Sequence, residues 1–216
     1  GSEMCIRDRD KKLFYNIVKW GVKLAGNNIA SLILTSIPVY FLTWFSISEG
    51  FLNVGYYSRA NSLLIIGTVI ASSVGPLLYS KWSLVKGKEL KLQVRRVSLL
   101  LAFVNTLLAI GLIIFAPIFI RILYGTEYQT AAPVLRLLAL TMIANGAKEV
   151  SYGILSSQGS PLSIMKNLVI GIILSAILNY FIIPQFGVIG CSVVTVLVTF
   201  TTAFLLQINI TRITEL

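Results

Sequence analysis

The chain has 216 residues, of which 56% are hydrophobic and 12% are charged, and its formal net charge at pH 7 is +10. Soluble domains carry about 25% charged residues, so this composition excludes an ordinary soluble domain. Histidine is absent, which excludes a histidine-based catalytic triad and a histidine metal ligand. Cys5 and Cys191 are too few for a disulfide framework or a metal cluster, and Cys191 is expected to pack between helices.

The first ten residues differ from the rest of the chain. They are polar, show no hydrophobic period and join abruptly to an apolar sequence. The stretch from Ser2 to Arg9 resembles the translated adaptor sequence that contaminates some metagenomic sequence assemblies. Residues 1–10 are therefore interpreted as a non-native leader, and the native N-terminus is expected to be missing. The alternative is a genuine polar leader. A secretory signal peptide is excluded because no apolar core and cleavage site directly follow.

Long uncharged runs predict an all-α membrane protein, since a helix of about 20 apolar residues crosses a bilayer core of about 30 Å. Pro38 should kink the first of these helices, Pro161 should open the fifth, and the turn signal at residues 184–187 should separate the last two. The fourth helix has the weakest signal because it contains Arg136 and the pair Lys148-Glu149. The prediction is a bundle of six transmembrane helices at about residues 24–47, 55–80, 97–120, 132–157, 161–183 and 188–210.

The distribution of lysine and arginine predicts the orientation. Most of them lie before the first span, at residues 11–23, and in the loop after the second span. The opposite loops contain only Arg59, Arg121 and Arg136. We therefore expect both termini, including the basic segment 11–23 and the tail 212–216, in the cytoplasm, which requires an even number of spans. Because these charges lie beside helix ends, they do not indicate nucleic-acid binding.

Two groups of polar residues are candidates for a substrate cavity. Asn28, Ser31 and Thr35 are spaced i, i+3 and i+7, so they share one stripe of the first helix, which either lines a water-filled cavity or forms helix–helix hydrogen bonds. Arg59, followed by Asn61, begins the second helix and either binds an anionic group or anchors in the lipid head-group layer.

Lys148 and Glu149 are charged residues within the fourth span, and such residues are functional candidates. Adjacent helical residues point about 100° apart, so the two are not an ideal ion pair with each other. Either one of them faces the bundle interior, or Lys148 reaches toward the membrane interface and Glu149 balances its charge. No paired carboxylates and no glycine-rich phosphate loop occur, so we expect no enzyme, no cofactor and no metal site.

Three motifs occur in order along the chain, and together they resemble a known family. They are Val54-Gly55-Tyr56-Tyr57-Ser58-Arg59-Ala60; Leu123-Tyr124-Gly125-Thr126-Glu127-Tyr128 followed by Ala131-Ala132-Pro133-Val134-Leu135; and Leu178-Asn179-Tyr180 followed by Ile182-Ile183-Pro184, Phe186-Gly187 and Ile189-Gly190. Their order and spacing resemble the C-terminal half of a flippase of the multidrug/oligosaccharidyl-lipid/polysaccharide superfamily, most closely its polysaccharide or O-antigen exporters.

The resemblance implies a fold and a role. Members of this superfamily have twelve to fourteen helices in two pseudo-symmetric six-helix bundles, and this chain corresponds to the second bundle. The implied activity is movement of a lipid-linked oligosaccharide across the cytoplasmic membrane of a bacterium or archaeon by alternating access. Cationic cavity residues would hold the pyrophosphate, and Arg59 and Lys148 are the local candidates. The implied partners are membrane lipid, the lipid-linked glycan and the missing N-terminal six-helix bundle.

Three alternatives remain open. A drug/cation antiporter of the same superfamily would use Glu149 as its ion-coupling carboxylate. A flippase for a cell-wall lipid precursor would share the fold and the mechanism. The third alternative is a non-transporting assembly subunit of a membrane complex.

Overall fold

The computed structural model describes residues 11–45, 51–72, 88–157 and 161–214, and every regular element within them is helical. The predicted leader at residues 1–10 and the last part of the predicted second span, residues 73–80, lie outside the described residues. The elements are α1 (Lys11–Phe45), α2 (Leu52–Ser72), α3 (Lys88–Tyr124), a short 3-10 helix (Thr126–Tyr128), α4 (Ala131–Ser157) and α5 (Pro161–Thr214).

Helix α5 is a helical hairpin broken at Gly187. This residue has φ 54° and ψ −138°, a backbone conformation that favours glycine because it has no Cβ. Gly171 and Thr202 lie nearly equally far before and after the break, and a Cβ atom at Gly171 would lie 2.6 Å from the Cγ2 of Thr202. The first arm (161–186) and the second arm (188–214) therefore fold back against each other. This break confirms the turn predicted at residues 184–187.

Helix α4 lies at the centre of the bundle. It packs against α2, α3 and α5, whereas α1 packs mainly against α5. The fully buried side chains Leu135, Leu138 and Met142 of α4 join one core cluster, and Ile154 and Leu155 join a second cluster near its C-terminal end. Asn27 of α1 ties the edge of the bundle to α5 by donating from its Nδ2 to the carbonyl of Pro161 at 3.1 Å.

Large apolar side chains cover the outer surface of the bundle. Trp44, Ile114, Ile122 and Phe204 are more than half exposed. A soluble monomer rarely exposes a continuous apolar surface of this kind. Three of the described helices are long and apolar enough to cross a membrane, at Phe14–Phe45, Leu92–Tyr124 and Pro161–Ile210. The chain is an all-α, multi-pass membrane protein.

Both ends of α3 and the start of α1 differ from the predicted spans. Helix α1 begins at Lys11 rather than near residue 24, so the described part of the basic segment 11–23 is helical. Helix α3 runs to Tyr124 and contains Pro117 within it. It ends at Gly125, whose φ of 87° again requires glycine. Hydropathy indicates where apolar residues begin and end, but a helix continues through polar residues until its backbone is turned.

Candidate functional site

A cavity of about 600 Å³ with polar and apolar side chains in its wall opens between α1, α2, α4 and the second arm of α5. Four helices contribute to its wall, and no lining residue in the described part of the chain is charged. The lining residues are Thr35, Ser36, Val39, Tyr40, Asn61, Leu64, Ile65, Thr68, Thr141, Asn145 and Thr195. Small-molecule sites in proteins have volumes of about 300–1,000 Å³, so the cavity has the size of such a site.

Helical spacing explains why these side chains face the same space. On α2, Asn61, Leu64 and Thr68 are separated by three and four residues, so they lie on one face. On α4, Thr141 and Asn145 are four residues apart and share a face in the same way. Because α4 is central, its polar face meets the faces of its neighbours instead of lipid.

A smaller recess of about 70 Å³ shares Thr35, Asn61 and Thr195 with the cavity. Tyr57, which is only 2% exposed, lies in its wall. The hydroxyl groups of Tyr57 and Thr195 are 3.1 Å apart. Because the Thr195 hydroxyl donates to the carbonyl of Cys191 at 2.9 Å, Tyr57 is the donor to Thr195. This bond joins α2 to the second arm of α5 at the base of the cavity.

Two of the predicted site residues, Thr35 and Asn61, line the cavity together. Within the described structure, Asn28 and Ser31 do not contribute to its lining, although they share the stripe of Thr35 on α1. Asn28 is exposed and Ser31 is half-buried. The stripe therefore meets the cavity only at its Thr35 end, where α2 and α5 approach α1.

Arg59 points away from the cavity. It precedes Asn61 by two residues, which places the two side chains about 200° apart around α2. Its guanidinium carbon lies 5.3 Å from the centre of the Tyr124 ring, a cation–π distance. Tyr128 packs against both Tyr124 and Tyr56, with ring centres 6.1 Å and 6.0 Å apart. Arg59 therefore belongs to an aromatic cluster where the N-terminal end of α2 meets the C-terminal end of α3.

Lys148 and Glu149 lie in α4, beyond the cavity lining, and both are half-buried. Lys148 follows Thr141 and Asn145 by seven and three residues, so it continues their stripe. It lies about 4.5 Å further along the helix axis than Asn145. Glu149 follows Asn145 by four residues, so it also lies close to that stripe. Helical spacing therefore places both charges beside the stripe of Thr141 and Asn145, about one turn beyond the cavity lining.

Sequence reasoning missed most polar residues of the lining, namely Ser36, Tyr40, Thr68, Thr141, Asn145 and Thr195. Thr141 and Asn145 carry a usable signal, because two polar residues four positions apart in a membrane helix mark one face. Thr68 and Thr195 carry no such signal, since single threonines are common in these helices. For the residues that the structure describes, no group of three or more histidine, cysteine, aspartate or glutamate side chains is placed to hold a metal ion.

Comparison with known proteins identifies the family to which the chain belongs. Residues 8–133 match the family model described as polysaccharide biosynthesis protein, which is more than half of the chain. An uncharacterized membrane protein of Methanocaldococcus jannaschii is 30% identical over 190 residues, which are 86% of this chain and 37% of that protein. A probable low-salt glycan biosynthesis flippase of Haloferax volcanii is 26% identical over 174 residues, which are 76% of this chain and 37% of that protein.

The chain thus spans 37% of the length of each of these two relatives. No solved structure matches it at a comparable level of significance. The resemblance noted in the three sequence motifs agrees with the family match, which covers the first of them and most of the second. The chain belongs to the family of polysaccharide biosynthesis proteins and is flippase-like.

Proposed function

We propose that this chain forms one half of a membrane flippase that moves a lipid-linked oligosaccharide between the leaflets of the cytoplasmic membrane by alternating access. The observation that carries the proposal is a cavity with uncharged polar side chains in its wall, between helices whose outer surface is apolar. Polar side chains that line a cavity between membrane helices are candidates for contacts with a hydrophilic head group. The family match and the relative named as a glycan biosynthesis flippase support the same role.

Six crossings fit this architecture. The apolar part of α5 has 50 residues, which as one straight helix would be about 75 Å long, far more than the bilayer core of about 30 Å. Because α5 is a hairpin, each arm is long enough for one crossing. With α1, α2, α3 and α4, the two arms make six, and an equivalent second bundle would complete a twelve-helix transporter with a pseudo-two-fold arrangement.

The charge pattern supports cytoplasmic termini in this arrangement. Most lysine and arginine residues lie in the N-terminal part of α1, up to residue 23, and in the stretch from residue 81 to residue 96, which includes the beginning of α3. Loops rich in these residues remain in the cytoplasm. The cavity would then open alternately to the two sides as the two bundles rock against each other, and transport requires no catalytic residue in this half.

The test is translocation by the whole protein that contains this chain, reconstituted in vesicles with a fluorescent lipid-linked oligosaccharide. Glycan protected from an external glycosidase should become accessible faster than in protein-free vesicles. Replacement of the cavity residue Asn61 by leucine should slow this step about tenfold. The matched control is Ser62→Leu, because Ser62 is exposed on the same helix and donates to the carbonyl of Ser58 at 2.9 Å. If the protected glycan becomes accessible no faster than in protein-free vesicles, the proposed function is refuted.

A further inference from the structure

The hydrogen-bond donors of the cavity threonines are already in use. Thr35 donates to the carbonyl of Leu32 at 3.0 Å, Thr68 to that of Ile65 at 2.9 Å, and Thr195 to that of Cys191 at 2.9 Å. Thr141 donates to the carbonyl of Leu138 at 2.6 Å. A hydroxyl group has one proton and two acceptor lone pairs. With its proton bound to its own helix, each threonine presents only acceptor capacity to the cavity.

The remaining donors in the described wall are all uncharged. They come from the hydroxyl of Ser36, the carboxamides of Asn61 and Asn145, and the phenol of Tyr40. Among the residues that the structure describes, no lysine or arginine lines the cavity. A phosphate or pyrophosphate group offers acceptors only, so here it would face threonine oxygens without a compensating cation. The wall therefore disfavours an anion and favours a ligand that brings many donors.

We propose that this cavity binds the uncharged, hydroxyl-rich sugar part of the substrate through the threonine oxygens, and that the phosphate part is held outside it. This inference rests on the proposed function and specifies which part of the lipid-linked glycan this half of the protein contacts. Sugar hydroxyls are donors that match the threonine acceptors. The ring of Tyr40, which is 72% exposed, provides an apolar face at the cavity wall for the C–H face of a sugar.

The size of the cavity argues against a bound cation as its occupant. Oxygen ligands on threonine and asparagine also suit a hard cation, but such an ion needs a closely spaced shell of oxygen atoms at about 2.0–2.6 Å. A cavity of about 600 Å³ with leucine, isoleucine and valine between its polar groups is too wide and too apolar to form such a shell. The spacing instead suits a ligand with several separated hydroxyl groups.

The experiment measures binding to the full 216-residue chain in lipid nanodiscs by saturation-transfer NMR. The probes are maltotriose, chitotriose, fully O-methylated maltotriose, inorganic pyrophosphate and sodium chloride. O-methylation keeps the sugar acceptors and removes every donor. Thr35→Val and Thr141→Val remove one cavity acceptor each at nearly constant shape, and Thr35→Ser restores the oxygen.

Matched controls come from threonines that make the same bond elsewhere. Thr106 of α3 donates to the carbonyl of Ala102 at 2.7 Å, and Thr201 in the second arm of α5 donates to that of Leu197 at 2.8 Å. Neither lines the cavity. Thr106→Val and Thr201→Val should therefore leave sugar binding unchanged. Circular dichroism of each variant verifies that the helices remain folded.

We expect a neutral trisaccharide to bind, Thr35→Val and Thr141→Val to weaken it about tenfold each, and Thr35→Ser to bind like the parent chain. Equal binding of the O-methylated sugar, threonine-dependent binding of pyrophosphate or sodium, or no binding of either trisaccharide would overturn the inference. Failure of the proposed function can be distinguished from failure of this inference. If vesicle translocation is absent while the threonine-dependent sugar site is present, the flippase role is wrong and the sugar site stands. If translocation occurs and both valine variants transport normally, only the sugar site is wrong.

Discussion

Pro117 leaves one backbone carbonyl of α3 without its helical partner, and Arg136 of α4 supplies a substitute. Proline has no N–H, so the carbonyl four residues earlier, that of Ile113, loses its regular hydrogen bond. The Nε of Arg136 donates to this carbonyl oxygen at 3.2 Å. An interaction between two helices thus satisfies a group that would otherwise be unpaired in lipid, where such groups are costly.

We expect Arg136→Met to destabilise the bundle by about 1 kcal/mol. Hydrogen bonds of a charged group contribute about 1.5–3 kcal/mol in proteins, whereas hydrogen bonds between membrane helices average about 0.6 kcal/mol. The 3.2 Å distance is at the long end of the usual range, and Arg136 is exposed, so a value between these two is appropriate.

A double-mutant cycle with Pro117→Ala isolates this interaction. Alanine restores the N–H that pairs with the carbonyl of Ile113, so Arg136→Met should cost almost nothing in that background, which is a coupling of about 1 kcal/mol. The assay is unfolding in mixed detergent micelles followed by circular dichroism. In the control cycle with Pro38→Ala, in α1, the two changes should add within about 0.5 kcal/mol. An equal cost of Arg136→Met with and without Pro117 would refute the reasoning.

The same unfolding assay checks three further changes. Gly171→Ala should destabilise the α5 hairpin by about 1–3 kcal/mol, because the new Cβ would lie 2.6 Å from the Cγ2 of Thr202; an unchanged unfolding midpoint would contradict this close approach. Gly187→Ala should cost about 1–3 kcal/mol, since φ is 54° there, and a smaller loss would mean that the break moves to another residue. Tyr57→Phe should cost about 1 kcal/mol by removing the donor to Thr195, and a neutral effect would show that this bond does not hold α2 to α5.

The interruptions of the helices were the most predictable feature of the fold. Residues 184–187 combine proline and glycine, and Gly187 is the residue at which α5 turns, because its positive φ is strained for any residue with a Cβ. The start of α1 at Lys11 was not predictable from hydropathy. Lysine and tyrosine are compatible with an α-helix, so the helix continues through the polar residues that precede residue 24. The change in polarity there marks where the surroundings of the helix change, and the backbone remains helical.

The candidate site was predictable only in part. Thr35 and Asn61 were predicted and line the cavity, but Asn28, on the same stripe of α1, does not. Periodicity assigns residues to a face, whereas the position of the cavity along that face depends on where the other helices approach. Thr195 shows most clearly what sequence alone does not reveal. Thr199, on the same arm, also donates to its own helix, to the carbonyl of Thr195 at 2.7 Å. The two threonines differ in that Thr195 contacts Tyr57, and this contact depends on how the helices pack.

The weak hydropathy of α4 follows from its place in the bundle. Its neighbours α2, α3 and α5 shield it from lipid, so its side chains need to match other helices and not acyl chains. This position allows Thr141 and Asn145 to line a cavity and Lys148 to continue their stripe, at a lower cost than on a lipid-facing helix. The central position of α4 therefore explains both its weak apolar signal in the sequence and its polar contribution to the site. In a bundle of this kind, the span with the weakest apolar signal is where polar substrate contacts should be sought first.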